Sequence, residues 1–283
     1  MANIERTLIM NMDYLYKVNN GNYVVKIYER NIRIRESNDD ILKPELPEIY
    51  NFVINNYNIH GLLQNCDFNR FDFLKDILLF SEINIYGYDI LNHNDLLSFL
   101  KLLKSKKCYV KLHINQKDFN IQSKLKLKEL YDLNLIKEVH INIIGINKFL
   151  INNLENFYFC NIFSHILSFD KLCKLKNNNI IMNTIDNKYL LKASSIYKKK
   201  NIGKHINYLL NNFKHIEFDN NSVNQFKLNK YLPNIDGYIL NFNIFFSMVF
   251  DLVNSSYYKS FNSNTKLLIK DDLKFMFNNI KNI

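Results

Sequence analysis

Two histidines, His113 and His140, occupy corresponding positions in two segments where polar and apolar residues alternate. Imidazole is a common metal ligand and changes charge near neutral pH, so a facing pair could bind a metal ion or carry protons. The competing interpretation is that both are interior residues held by hydrogen bonds, as most buried polar side chains are. The sequence favours this second interpretation, and we predict no metal site.

A second candidate pair, Asp89 and His93, follows a short apolar run and a glycine. A carboxylate and an imidazole at this spacing could act as an acid–base pair beside a cavity. The segment also suits the beginning of a helix, because Asn92, Asn94 and Asp95 are all good N-cap residues. The sequence favours the helix entry, and it assigns no catalytic residue.

Cys66, beside Asp67, is the third candidate, as a reactive thiol at the end of a strand. A neighbouring carboxylate raises the pKa of a thiol, so a packed cysteine is the expected role. No two cysteines lie within four residues of each other, which excludes the usual zinc-ribbon spacing. Reduced, buried thiols of a cytoplasmic protein are predicted at all four positions, Cys66, Cys108, Cys160 and Cys173.

The formal charge of +10 at pH 7 makes an anionic partner a candidate. The charge comes mainly from lysine, however, and arginine is the better reader of bases and phosphates. The run Lys198–Lys200, near Tyr189 and Tyr197, could contact phosphates, although a solvated helix end is the simpler interpretation. Non-specific nucleic acid and another protein are therefore the candidate macromolecular partners.

Composition predicts a folded protein without a membrane anchor. Apolar residues make up 47% of the chain, enough for a sizeable core. The most apolar long window, Tyr238–Val253, contains four polar residues, and Met1–Met12 does not read as a signal peptide. We expect a cytoplasmic protein with no membrane partner. The abundance of Asn, Lys and Ile is typical of an AT-rich genome.

Between Ile59 and Phe218, short β-branched runs alternate with runs of helical spacing, which predicts parallel strands joined by right-handed crossovers. The fold class expected is α/β: a partial TIM-like (β/α) barrel over residues 49–218, a small β element at 1–48, and an α+β extension at 219–283. The predicted barrel strands are Ile59–Leu63, Ile83–Tyr86, Cys108–Ile114, Glu138–Ile144, Phe157–Phe163, Ile180–Thr184 and His215–Phe218. The predicted barrel helices are Phe71–Phe80, Asp95–Leu103, Lys124–Leu133, Asn147–Leu154, Phe169–Lys176 and Lys188–Phe213.

The flanking elements follow from local patterns. Tyr23–Tyr28 and Ile32–Arg35 alternate as strands, and Glu48–Asn56 is a candidate short helix. Beyond the barrel we expect a helix at Asn224–Leu232, an aromatic strand pair within Tyr238–Asn254, and a terminal helix at Asp271–Ile283.

Several predicted strands carry polar residues on one face, whereas parallel strands covered on both faces are usually apolar throughout. If the apolar face meets the helices, the polar face lines a lumen. That lumen would be either a ligand cavity or a hydrogen-bonded interior, and the sequence leaves both open. The apolar face would include Ile162, and the polar face Asn84 and Asn161 together with the cavity-lining candidates Tyr86, Lys111, His113, His140, Asn142 and Asn183.

Residues 83–115 resemble the core of radical SAM proteins. In that family a strand ends in Gly-Gly-Glu-Pro-Leu, and this chain has Gly87-Tyr88-Asp89-Ile90-Leu91. Phe218–Gln225 and Phe246–Val253 look like degraded copies of two C-terminal runs of small bacterial and phage members. The resemblance covers about residues 50–275. It implies that Gly87 and Asp89 stand at the cofactor-binding positions, and that the host is a bacterium or a phage-infected cell.

The chain departs from this family at the cluster loop. Radical SAM chemistry needs a [4Fe–4S] cluster held by three cysteines of a CxxxCxxC loop, and only Cys66 is present in the matching segment. We therefore expect neither a [4Fe–4S] cluster nor S-adenosylmethionine. The resemblance implies a degenerate, phage-like barrel that acts as a binding or assembly module. The alternatives are an enzyme with altered chemistry, using Asp89, His93, His113 and His140, and a basic nucleic-acid-binding protein.

Overall fold

The fold is a mixed α/β arrangement with a mostly parallel sheet. The computed structural model describes residues 13–28, 31–142, 162–165, 190–193, 216–218, 239–240, 246–259 and 265–281.

The described strands follow in chain order. They are β1 (Tyr16–Asn20), β2 (Tyr23–Ile27), β3 (Arg33–Glu36), β4 (Ile49–Val53), β5 (Asn55–Tyr57), β6 (Leu63–Asn65), β7 (Glu82–Tyr86), β8 (Tyr109–Asn115), β9 (Glu138–Asn142), β10 (Ile162–His165), β11 (Leu190–Ala193), β12 (Ile216–Phe218), β13 (Ile239–Leu240), β14 (Ser247–Asp251), β15 (Ser256–Tyr258) and β16 (Leu267–Leu268). The described α-helices are α1 (Leu96–Ser105), α2 (Ile121–Asp132) and α3 (Leu273–Lys281), and the 3-10 turns are Phe68–Arg70, Asp72–Asp76, Ile90–Asn92 and Gln116–Asp118. None of the helices described is long and apolar enough to cross a membrane.

Helices α1 and α3 form because their apolar residues recur on one face. In α1 and α3 the buried positions are spaced by three and four residues, which is the period of an amphipathic helix. The beginning of α2 is fixed by a capping box. The Asn120 side chain accepts a hydrogen bond from the Ser123 amide at 3.0 Å, and the Ser123 hydroxyl accepts one from the Asn120 amide at 2.7 Å.

The residues divide into two compact units. The first unit comprises Met1–Ile85, Asn94–Val110 and Ile244–Ile283, and the second comprises Tyr86–His93 and Lys111–Asn243. The boundaries between them fall inside β7 and β8.

The first unit contains a small antiparallel sheet, β1-β2-β3, and a larger sheet with the order β7-β4-β14-β15-β16. Strands β4 and β14 are parallel, and β14, β15 and β16 form antiparallel pairs. The core is aromatic. Phe250 stacks on Phe73 with ring centroids 4.8 Å apart, and Phe68 stacks on Phe99 at 4.2 Å.

A buried carboxylate ties the small sheet to the residues just before β4. Glu48 is fully buried and receives a two-pronged hydrogen bond from the Arg35 guanidinium, at 2.7 and 3.0 Å, and another from the Tyr23 hydroxyl at 2.6 Å. Burial and the neighbouring carboxylate raise the pKa of Tyr23, which keeps its hydroxyl a donor.

The second unit holds parallel strands in the order β8-β9-β10-β11-β12-β13. Between β8 and β9 the register sets Lys111 opposite Glu138, His113 opposite His140 and Asn115 opposite Asn142. The next pair sets Ile162 of β10 opposite His140. The Ile162 side chain lies outside what the structure describes, so its assignment to the apolar face stays a prediction.

Several predicted elements are confirmed, notably strands β7, β8, β9 and β12 and the three α-helices. Three predictions in the first 80 residues were wrong. The segment Glu48–Asn56 contains β4 rather than a helix, because these residues pair with β14, about 200 residues later in the chain. Ile59–Leu63 is mostly the turn of the β5–β6 hairpin, and Phe71–Phe80 contains only a short 3-10 turn because Phe73 is drawn into the aromatic core.

Other predictions fall partly or wholly outside the described residues. Strand β11 lies inside the helix predicted over Lys188–Phe213, so that prediction was wrong at its beginning. The segments predicted at Asn147–Leu154, Phe169–Lys176, Ile180–Thr184 and Asn224–Leu232 are outside the described residues. No pairing among the described strands closes a barrel, and the barrel and its three-part division stay predictions.

We expect Phe250→Ala to lower the free energy of unfolding by about 3–5 kcal/mol, because it opens a cavity in the aromatic core. Phe275→Ala is the matched control, since Phe275 is 45% exposed on α3 and its loss should cost less than about 1 kcal/mol. Urea unfolding of both variants measures the difference. Equal losses would contradict the assignment of Phe250 to the core.

Candidate functional site

Three aromatic rings of the predicted polar face meet in the second unit. Tyr86, at the end of β7, stacks on His113 of β8 with ring centroids 4.0 Å apart. The rings of His113 and His140 are 4.5 Å apart and inclined at 44°. His113 is 7% exposed and His140 fully buried, so the structure brings together the two histidines that the sequence singled out.

A carboxylate that the sequence analysis passed over holds this cluster. Glu138 lies 3.0 Å from Nε2 of His140, and the same oxygen lies 3.5 Å from Nζ of Lys111. The contact with Lys111 follows from the register, which sets Lys111 of β8 opposite Glu138 of β9. The contact with His140 follows from the two-residue period of a strand, which puts both side chains on one face of β9. The signal was present in the sequence, because Glu138 precedes His140 by two residues and so shares its face.

The arrangement of this cluster is that of a hydrogen-bonded interior. Lys111 and His140 are buried and share one carboxylate, which compensates for the loss of water around a cation. Among the residues described, no group of three or more His, Cys, Asp and Glu side chains is arranged to hold a metal ion.

A pocket of about 80 Å³ lies in the same unit, at the loop that follows β7. This loop carries the two predicted cofactor-binding positions, Gly87 and Asp89. Asp89 has a left-handed backbone, with φ 48° and ψ 40°, and the 3-10 turn Ile90–Asn92 follows it. The wall of the pocket also includes Ile114 at the end of β8 and the beginning of α2, and its polar lining residues are Asp89, Asn92, Asp118, Asn120, Gln122, Ser123 and Lys126.

Hydrogen bonds fix the acidic side of this pocket. Both oxygens of Asp89 accept from the Asn92 amide group, at 2.8 and 2.9 Å. Asp118 accepts longer bonds of 3.4 Å from the Asp89 backbone amide and from the Asn115 side chain. The Asn115 amide also reaches the Gly87 carbonyl at 3.3 Å. The two carboxylates are therefore held in the pocket lining while keeping lone pairs for further bonds.

The pocket lining also carries positive charge. Lys126 donates to the Asn92 side chain at 2.8 Å and to the Leu91 carbonyl at 3.4 Å, which leaves its ammonium group one further proton to offer. The first turn of α2 lines the pocket too, and the beginning of a helix carries a partial positive charge. The pocket thus presents both carboxylates and positive charge.

The predicted acid–base pair, Asp89 and His93, flanks the 3-10 turn Ile90–Asn92. The Asp89 carboxylate is occupied by Asn92, while His93 is buried and its backbone amide donates to the Ile90 carbonyl at 3.2 Å. Asp95 takes the N-cap position of α1, which confirms the predicted helix entry, although its side chain makes no capping hydrogen bond.

The two cysteines that the structure describes are buried thiols. Cys66 follows β6, and its backbone amide donates to the Ile54 carbonyl at 2.9 Å. Burial raises the pKa of Cys66 to about 12, with Asp67 adding to the rise, and burial likewise raises the pKa of Cys108 to about 12. Asn161, Asn183, Cys160, Cys173 and the run Lys198–Lys200 are outside the described residues.

No family model matches the sequence, and no curated protein matches it. The resemblance to radical SAM proteins therefore stays a prediction.

Replacing Glu138 by Ala should lower the free energy of unfolding by about 3 kcal/mol, because the buried Lys111 and His140 lose the carboxylate they share. The matched change is Asp132→Ala, which breaks an exposed Lys128–Asp132 pair on α2 and should cost at most about 0.5 kcal/mol. Urea unfolding at neutral pH distinguishes them. A Glu138 variant as stable as the Asp132 variant would contradict the role given to this carboxylate.

A second prediction concerns the thiols. With a pKa near 12, roughly one thiol in ten thousand is ionised at pH 8. Cys66 and Cys108 should therefore react with a disulfide reagent at least about 100-fold more slowly in the folded protein than in the unfolded protein. The reaction is followed in a Cys160→Ser, Cys173→Ser background, with urea-unfolded protein as the control. Rapid reaction of the folded protein would contradict the burial of both thiols.

Proposed function

We propose that the protein is a binding module, without cluster-dependent catalysis, that holds a small polar ligand in the pocket beside Gly87 and Asp89. The observation that carries this proposal is the presence of both charges in one pocket lining, with the carboxylates of Asp89 and Asp118 and the ammonium group of Lys126. Ligands of α/β proteins commonly bind where the carboxyl ends of strands meet the following loops.

The pocket selects a class of ligand by size and charge. Its volume of about 80 Å³ is well below the roughly 300 Å³ at which drug-sized pockets begin. A positive group would bind the carboxylates, and a negative group would bind Lys126 near the partial positive charge at the beginning of α2. Small zwitterions, of which free α-amino acids are the commonest, combine both groups in this volume.

We further propose that the chain descends from a radical-SAM-like (β/α) barrel that has lost its cluster. The donor set does not fit a [4Fe–4S] cluster, because the segment 64–70 has one cysteine where three thiolates are required, and that thiol is buried with a raised pKa. The alternating strands and the glycine loop support the same descent.

The proposal is tested by calorimetric titration with glycine and alanine as probes. We expect both to bind to the natural protein, and methylammonium and acetate, which each carry one of the two charges, to bind at least about tenfold more weakly. Asp118→Asn should weaken glycine binding at least about tenfold while changing stability little, since its bonds within the protein are long.

Asp132→Asn is the control for this titration, because it removes an equal charge from α2 outside the pocket. It should leave the affinity for glycine unchanged. The proposal fails if no small zwitterion binds at millimolar concentration, or if the Asp118 and Asp132 variants bind glycine equally.

A further inference from the structure

Aromatic rings and lysine ammonium groups alternate on the surface of the first unit. Tyr16 of β1 stacks on Phe80, with ring centroids 4.3 Å apart and an angle of 22° between the ring planes. The Lys107 ammonium group lies over the Phe80 ring, 5.6 Å from its centroid. Two residues before Tyr16, the Tyr14 ring carries the Lys26 ammonium group at 5.5 Å. These five residues are called the ring–lysine surface below.

The two tyrosine rings of this surface are available to a partner. Tyr14 is 45% exposed and Tyr16 is 43% exposed. Phe80, on which Tyr16 stacks, is fixed through its backbone. Its amide donates to the Lys106 carbonyl at 3.0 Å, and its carbonyl accepts a hydrogen bond from the Arg33 guanidinium. The rings are therefore held in place before a partner arrives, which lowers the entropy cost of binding.

The chain segments that form this surface carry lysine and no carboxylate. From Tyr14 to Tyr28 and from Leu96 to Val110 the only charged residues are lysines, namely Lys17, Lys26, Lys101, Lys104, Lys106 and Lys107. Lys26 forms an ion pair with Glu36 at 2.7 Å, and among the residues described no carboxylate forms an ion pair with Lys107. Positive charge around exposed rings is complementary to an anionic partner.

We infer that the ring–lysine surface binds single-stranded nucleic acid without sequence preference. Unpaired bases stack on exposed aromatic side chains while cationic side chains contact the phosphates, and this combination is typical of proteins that bind single strands. Lysine is a point charge that does not read base edges as arginine does, which suits binding without sequence preference. An anionic membrane would contact the lysines but has no flat ring to stack on the tyrosines.

The size of the surface sets the strength of the binding. Two exposed rings and two lysines contact only a few nucleotides, so the dissociation constant should be about 10⁻⁴ to 10⁻⁶ M. Each phosphate contact contributes about −0.7 to the slope of log K against log salt for a single strand, and two contacts predict about −1.4. The surface belongs to the first unit and is independent of the pocket proposed for zwitterions, which lies in the second.

Fluorescence anisotropy of the full chain with labelled oligothymidylate and oligouridylate, each of about twelve nucleotides, tests the inference. We expect both to bind with similar affinity, because neither a ring face nor an ammonium group recognises the 2′-hydroxyl. A DNA duplex of the same length should bind at least about fivefold more weakly, because its paired bases cannot stack on the tyrosines.

Substitutions test the rings and the lysine separately. Tyr16→Leu and Tyr14→Leu keep an apolar side chain but remove the ring, and each should weaken binding at least about fivefold. Tyr131→Leu, at a 38% exposed position on α2, is the matched control and should change nothing. Lys107→Gln should reduce the magnitude of the salt slope by about 0.7, while Lys137→Gln, at an exposed site outside the surface, should leave it unchanged.

Four outcomes would overturn the inference. They are no binding of either single strand at low salt, a duplex bound as tightly as the single strands, equal losses in the Tyr16 and Tyr131 variants, and an unchanged salt slope in the Lys107 variant. Phosphatidylserine vesicles are titrated in parallel. Vesicles that bind where oligonucleotides do not would assign the lysines to a membrane surface instead. Because Tyr14 precedes β1, its variant keeps the test decisive if Tyr16→Leu lowers stability.

Discussion

The carboxylate of Glu138, held between Lys111 and His140, is the interaction on which the described polar cluster of β8 and β9 depends. A buried ammonium group and a buried imidazole are tolerated there because one carboxylate contacts both. The Tyr86 ring stacks on His113, and the His113 and His140 rings lie 4.5 Å apart and tilted. Polar groups that could have served catalysis are engaged with one another.

Because these interior groups contact one another, the groups proposed to bind a ligand are those at the ends of the strands. Beyond His113 on β8, the chain reaches Asn115 and Asp118, and beyond Tyr86 on β7 it reaches Gly87 and Asp89. Side chains from these two loops bond to each other and to α2, and the pocket opens between them. The strands supply a rigid base, and the loops carry the groups that a ligand would contact, which is the usual division of roles in α/β folds.

The sequence predicted the elements whose form depends on the spacing of neighbouring residues. The period of α1, the alternation in β8 and β9, and the pairing of the two histidines were all readable, because each follows from the spacing of apolar residues. Strand β4 was not readable, because its partner β14 lies far along the chain. The pocket was missed at Asp118 and Lys126, since the side of a turn or helix that faces a ligand depends on tertiary packing rather than on spacing.

We propose that the ligand binds at the Gly87 loop, while the polar groups of Lys111, Glu138 and His140 contact one another. The most direct measurement is a two-dimensional NMR titration of backbone amides with glycine. The account predicts shifts concentrated at residues 87–92 and 118–126, with the amides of Lys111, His113 and His140 unmoved. Shifts centred on the two histidines would show that the interior cluster is the binding site, and would contradict the account.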